Sequence, residues 1–199
     1  LLERHLEQAQ GIDAARWVLK AAIQRLDDRV FDGVSEANVN EVRRLLNRIT
    51  LPESASVRAS VTVSISLVQL AIALLESDEE KAQSLCESLA SISHENDPLV
   101  LQSRFKVMLK FSHGSPEDKK MAYEETVSAQ TTAFHRGVVG LTYAEHLALQ
   151  KEPSAKAVFD GVPLPDALSI SGAPQWRYTA RWWYLKGPLD PSSSTASLR

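Results

Sequence analysis

Apolar residues recur along this chain in steps of three and four. The first strong run is Ala15, Val18, Leu19, Ala22, Ile23, Leu26 and Val30, which forms one stripe of an amphipathic helix. Gly11 and Asp13 stand before it as stop and cap, and Phe31-Asp32-Gly33 ends it. Ser35 is placed to cap a second helix with a buried stripe of Val39, Val42, Leu46 and Ile49, ended by Leu51-Pro52. Residues 55–76 carry two patterns. Val61, Val63, Ile65 and Leu67 alternate with hydroxyl residues as in a strand, whereas Val68 to Leu75 is helix-like. No other segment alternates convincingly, and a lone strand would leave its backbone hydrogen bonds unmet. One long buried helix is therefore expected there.

Helix punctuation is clearer further on. Ser77-Asp78-Glu79-Glu80 has the form of a capping box and precedes a stripe of Ala82, Leu85, Cys86 and Leu89, with Leu85 and Leu89 expected in the core. Asp97-Pro98 pairs a cap with a proline at the first helical position, ahead of Leu101, Phe105, Met108 and Leu109. Gly114 ends that helix and Ser115-Pro116-Glu117-Asp118 opens the next. Phe134 to Gly137 reads as a turn before Val138, Leu141, Ala144, Leu147 and Ala148, and Pro153 starts a shorter helix closed by Gly161. Connectors around Pro163, Pro165 and Pro174 lead to an aromatic segment, Gln175 to Tyr184, that Gly187-Pro188 should stop. This pattern predicts an all-α domain over residues 1–187, and residues 188–199, rich in serine, are expected to form a flexible tail.

The starts at Ser77, Ser115 and Pro153 are almost evenly spaced, and each follows another helix. Even spacing of helix pairs is the signature of antiparallel helix-hairpin repeats stacked into an α-α superhelix. Ala82 with Cys86 and Leu89, and Ala155 with Phe159, carry small and aromatic residues on second helices. In this the chain, over residues 57–161, resembles tetratricopeptide-like repeats. The Trp and Leu-Gly signature of that family's first helix is absent and the period is longer, so a HEAT-like or irregular solenoid fits the spacing too. The resemblance implies a surface for binding other proteins rather than a catalytic pocket.

Composition narrows the classes. The net charge is −3, from 22 Lys and Arg against 25 Asp and Glu, which argues against a general nucleic-acid binder. A single cysteine, Cys86, excludes an internal disulfide and suits a reducing compartment, so an intracellular, cytoplasmic or nuclear location is expected. The start Leu1-Leu2-Glu3 reads as part of a larger protein, and Glu3, Arg4 and Glu7 interrupt any signal-peptide core. Hydroxyl residues dilute the apolar run Val57 to Leu75, which favours a buried helix over a membrane segment.

The sequence holds no Gly-rich phosphate loop, nucleophile elbow or metalloprotease helix, so neither catalysis nor a cofactor or metal is expected. Asp27, Asp28 and Asp32 lie on the polar side of their helix, and the five histidines are too dispersed to share a metal. Two features suggest contact with partners. Arg43, Arg44 and Arg48 form a basic patch, with a second cluster at Arg104, Lys106, Lys110, Lys119 and Lys120. In the aromatic segment, Trp176, Ala180, Trp183 and Tyr184 share a helical face expected to pack inward, leaving Tyr178, Arg181 and Trp182 outward for a partner. The expected function is a non-catalytic scaffold or adaptor that binds another protein within a multi-subunit complex. The alternative is nucleic-acid binding through the basic hairpin and the Trp/Arg segment.

Overall fold

In a computed structural model, the structure describes residues 36–168 and 173–190, together with Ala15, Val18, Leu19 and Ala22. The expectations for Asp13, Ile23, Leu26, Val30, the Asp27, Asp28 and Asp32 group, Ser35 and the tail from residue 191 lie outside the described residues. The described chain is all-helical, with no strand among those residues. Its helices are α1 (Glu36–Leu46), α2 (Ala55–Glu76), α3 (Glu79–Ile92), α4 (Pro98–Lys110), α5 (Pro116–Ala129), α6 (Ala133–Leu149), α7 (Ser154–Asp160) and α8 (Ala173–Leu189). A short 3-10 turn, Pro165–Ala167, precedes α8. Residues 60–67 lie wholly within α2, so helix wins over strand there. Thr62 and Ser64 donate to the carbonyls of Arg58 and Ser60, four residues back, which absorbs their hydroxyls within the helix.

The chain divides into two compact units, Leu1–Glu95 and Asn96–Arg199. In the first, Leu19 and Ala22 join Val39, Val42 and Leu46 of α1 and Val68 and Ile72 of α2 in one core cluster. α3 packs along α2 and buries Ala82, Leu85, Cys86 and Leu89, the stripe read from the sequence. α2 is the described helix long and apolar enough to cross a membrane by length and composition alone. Its buried residues begin at Val61; the first turn and a half, from Ala55 to Ser60, is largely exposed, so it is not buried throughout.

In the second unit, substantial packing joins α4 to α5, α5 to α6, α6 to α7, α4 to α6 and α6 to α8. Gln130, just past the end of α5, donates from Nε2 to the carbonyl of Pro98 at the start of α4, at 3.1 Å. That bond makes the pair an antiparallel hairpin and satisfies a buried amide. α6 is buried on two faces. Val139, Tyr143 and Leu147 cluster with Phe105 and Leu109 of α4 and with Ala122, Tyr123 and Val127 of α5. Leu141 and Ala144 cluster with Phe159, Val162, Leu168 and the residues of α8.

The three hairpins α2/α3, α4/α5 and α6/α7 share one turn chemistry. Ser77, Ser112 and Lys151 adopt positive φ of 56°, 57° and 58°. The residue after each donates its N–H five residues back: Asp78 to Ala73, His113 to Met108, and Glu152 to Leu147. This left-handed stop closes the last helical turn and reverses the chain. It also corrects the capping box at Ser77. Ser77 terminates α2, and the cap of α3 is Asp78, whose carboxylate accepts from the Lys81 N–H. Asp97 and Ser115 cap as read, Ser115 in a reciprocal capping box with Asp118. That bonding holds the Asp118 carboxyl below its ordinary pKa. The expected turn at Phe134 to Gly137 is instead helix: Thr132 caps α6 by accepting from the His135 N–H, and Gly137 lies inside.

Left-handed geometry costs a non-glycine residue about 1–2 kcal/mol. Ser112 is exposed and keeps its turn by backbone bonds alone. Ser112→Gly is therefore expected to stabilise the protein by about 0.5–1 kcal/mol in denaturant unfolding. A loss of stability would show that the serine side chain holds the turn.

Candidate functional site

α8 carries the least ordinary chemistry of the chain: Trp176, Tyr178, Trp182, Trp183 and Tyr184 interleaved with Arg177, Arg181 and Lys186, and no acidic residue. Its inner stripe is Tyr178, Trp182, Leu185 and Leu189, spaced four, three and four. Tyr178 lies over the start of α6, where Gly137 provides the room. A Cβ at Gly137 would come within 2.4 Å of the Tyr178 hydroxyl. That hydroxyl donates to the Pro163 carbonyl at 2.6 Å. Burial pushes the Tyr178 phenol up from 10.0 to about 12.

Further along the helix, Arg181 reaches back to α6. Its Nε and Nη2 donate to Glu145 Oε2 and its Nη1 to Thr142 Oγ1, at 3.2, 2.5 and 3.2 Å. These contacts follow α6 in the same direction as α8, so the two helices run parallel. Trp182 packs on Phe159 of α7, with ring centroids 5.2 Å apart. Its Nε1–H is buried without an acceptor among the described residues.

The expected orientation of α8 is therefore reversed. Tyr178 and Trp182, assigned outward, are only 3% and 7% exposed, and Arg181 is committed to Glu145. Trp176, Trp183 and Tyr184, assigned inward, are 59%, 57% and 66% exposed. The physical reason is that both faces of this helix are apolar, and the inner one fits the space above Gly137 and beside Phe159. One signal was available. The helix runs through Gly187 and Pro188 to Leu189, and counting Leu185 and Leu189 completes the buried stripe. Pro188 is tolerated because it lies in the last turn, where the Asp190 N–H still reaches the Lys186 carbonyl at 2.8 Å.

The exposed face is ordered by its own contacts. Trp183 meets Trp182 edge to face at 5.1 Å, and Lys186 Nζ lies 5.2 Å from the Trp182 ring and 4.7 Å from the Trp183 ring. This is cation–π geometry that holds a cation beside the aromatic strip. Rings of this size, each more than half exposed, present on the order of 300 Å² of apolar surface.

The arginines of the first unit are arranged differently. Arg43 pairs with Glu76 of α2 at 2.5 Å and Arg44 with Glu41 at 3.0 Å, while Arg48 is exposed beyond the end of α1. Of the second basic cluster, Lys120 lies 3.9 Å from Glu124. His146 is held below its ordinary pKa by partial burial and by Lys119. No cluster of three or more His, Cys, Asp or Glu side chains able to hold a metal occurs among the described residues. Comparison with protein families, with curated proteins and with solved structures gives no match.

Two outcomes follow from this geometry. Trp182→Ala should cost about 3–5 kcal/mol and Trp183→Ala less than about 1 kcal/mol in the same denaturant titration; equal losses would mean that the two faces are not distinct. The raised Tyr178 pKa means that the folded state favours the protonated phenol. Its contribution to stability should thus be full below pH 10.0 and decline as pH rises toward about 12. Tyr178→Phe should flatten that decline in pH-dependent unfolding, and an unchanged slope would assign it to other groups.

Proposed function

We propose that this chain is a non-catalytic protein–protein interaction module, a scaffold or adaptor within a larger intracellular assembly. In this reading its helices form antiparallel hairpin repeats of the tetratricopeptide-like kind. The shared left-handed turns at Ser77, Ser112 and Lys151 support the hairpin repeat. So does the packing of α6 against both the preceding hairpin and the helix that follows it.

The observation that carries the functional reading is the outer face of α8. Trp176, Trp183 and Tyr184 are exposed on a helix whose opposite face is fully packed. Trp and Tyr dominate the energetics of protein interfaces because they bury large rigid areas at low entropic cost. A helix apolar on both faces is at home when both are covered. Nucleic-acid binding draws less support, because Arg43, Arg44 and Arg181 are already engaged by carboxylates.

The test begins with capture of partners by the full chain from nuclease-treated cell extract, followed by affinity measurement with the purified partner. The triple change Trp176→Ser, Trp183→Ser and Tyr184→Ser is expected to leave the melting temperature nearly unchanged. It should weaken binding more than about tenfold, or ~1.4 kcal/mol. Unchanged affinity would remove α8 as the docking surface, and salt-sensitive recovery of RNA or DNA from untreated extract, with no protein partner retained after nuclease treatment, would favour the nucleic-acid alternative.

A further inference from the structure

The face between α5 and α6 holds a pair of basic side chains that neither the core nor α8 uses. A short connector, residues 130–132, joins the two helices, which pack against each other as an antiparallel pair. Tyr123 of α5 stacks on Tyr143 of α6, with ring centroids 4.6 Å apart and an interplanar angle of 29°. One helical turn from that stack, toward the start of α5 and the end of α6, the same faces carry Lys119 and His146. Both are half-buried. Neither side chain has a hydrogen bond or an ion pair among the described residues.

The surrounding groups do not offset a proton on His146. Partial burial, and after it the Lys119 charge, hold the imidazole below its ordinary pKa of 6.5. On α5, Glu124 lies beyond the tyrosine stack and beside Lys120. The turn into α7 brings Lys151 and Glu152, both exposed. Burial, together with Glu124 and Glu152, raises the pKa of the Tyr143 phenol, so those carboxylates act on the stack. From α8, Arg181 is held by Glu145, the neighbour of His146 on α6. α4 runs antiparallel to α5, and its last turn adds Lys110, a further cation at the same end.

We propose that Lys119 and His146 form a proton-sensitive joint: protonation of His146 sets two cations against each other across the α5–α6 face and loosens it. That face joins the α4/α5 hairpin to α6, so the device acts where one hairpin meets the next. It is independent of the reading of α8 as a docking surface. The unfolded chain takes up this proton near pH 6.5 and the folded chain only at lower pH. The contribution to stability is therefore full above 6.5 and is lost as pH falls toward the folded value.

The experiment follows the His146 ring by NMR through a pH titration of the full chain. Amide exchange in α5 and α6 is measured in parallel at about pH 5.5 and about pH 7.5. The ring is expected to titrate below 6.5. Exchange at the start of α5 and the end of α6, corrected for the intrinsic effect of pH, should be about threefold or more faster at the lower pH. Lys119→Met should move the His146 midpoint upward and shrink the exchange difference. Lys119→Glu should move the midpoint further and reverse the difference, whereas Lys119→Arg should keep the behaviour of the unaltered chain. His146→Gln, its fold checked by circular dichroism, should abolish the difference. A His146 midpoint unmoved by both Lys119→Met and Lys119→Glu would overturn the pairing. Equal exchange at the two pH values in the unaltered chain, or a difference that persists in His146→Gln, would overturn the joint.

Discussion

The close approach of α8 to α6 at Gly137 is the constraint on which the C-terminal half of the second unit depends. With no side chain at Gly137, the Tyr178 ring can lie against the backbone of α6 and its hydroxyl can reach Pro163. That single contact ties three elements together: the start of α6, the connector after α7, and the first turns of α8. Arg181 then sets the direction of α8 by bonding Glu145 and Thr142, and Trp182 closes the space over Phe159. A second small residue, Gly140, admits Val162 in the same way; a Cβ there would come within 2.9 Å of the Val162 side chain. Two glycines inside a helix cost local stability. Here they are offset by the burial of Tyr178, Val162 and their neighbours in one cluster.

The inner face of α8 therefore has a full structural account, and its outer face does not. Tyr178, Leu185 and Arg181 find packing or bonding partners on α6 and in the connector. Among them Trp182 alone retains an unmet buried donor, which costs on the order of 1–3 kcal/mol; its ring contacts with Phe159, Trp183 and Lys186 offset part of that cost. Trp183 and Lys186 support the outer surface of that ring, so the exposed strip is continuous with the core. Substitutions on one face can be transmitted to the other through the Trp182–Trp183 contact, which is why the affinity measurements need stability measured on the same samples.

Local chemistry was legible in the sequence, and tertiary choices were not. Asp97-Pro98 and Ser115-Pro116 cap helices through bonds to amides two or three residues away, so the residues alone suffice to place them. The stripe of Ala82, Leu85, Cys86 and Leu89 was equally readable, because only one face of α3 is apolar. The failures share a different origin. At Ser77-Asp78 both residues can cap, and the backbone assigns Ser77 to the left-handed stop and Asp78 to the cap. Gly137 has the composition of a turn, but its reason for being glycine is Tyr178, which lies far along the chain. α8 has two apolar faces, and which one is buried depends on the space above Gly137 and beside Phe159, information that no local spacing contains.

That ambiguity is itself informative about the surface. A helix with one packing duty usually carries a single apolar face and a polar one. α8 carries Tyr178, Trp182, Leu185 and Leu189 on one side and Trp176, Trp183 and Tyr184 on the other. Apart from the Trp182–Trp183 contact, exposed rings of this size add little to the core and raise the risk of nonspecific association. A partner that covers them would remove that cost. The strip, on the order of 300 Å², falls short of the roughly 800 Å² that one side of a standard interface buries. A partner seated on the strip would therefore also have to touch residues along the edges of α8, where Lys186 lies beside the Trp183 ring. In such a complex the aromatic strip would supply most of the affinity and the polar residues along its edges the choice of partner, which separates the energetics of binding from its specificity.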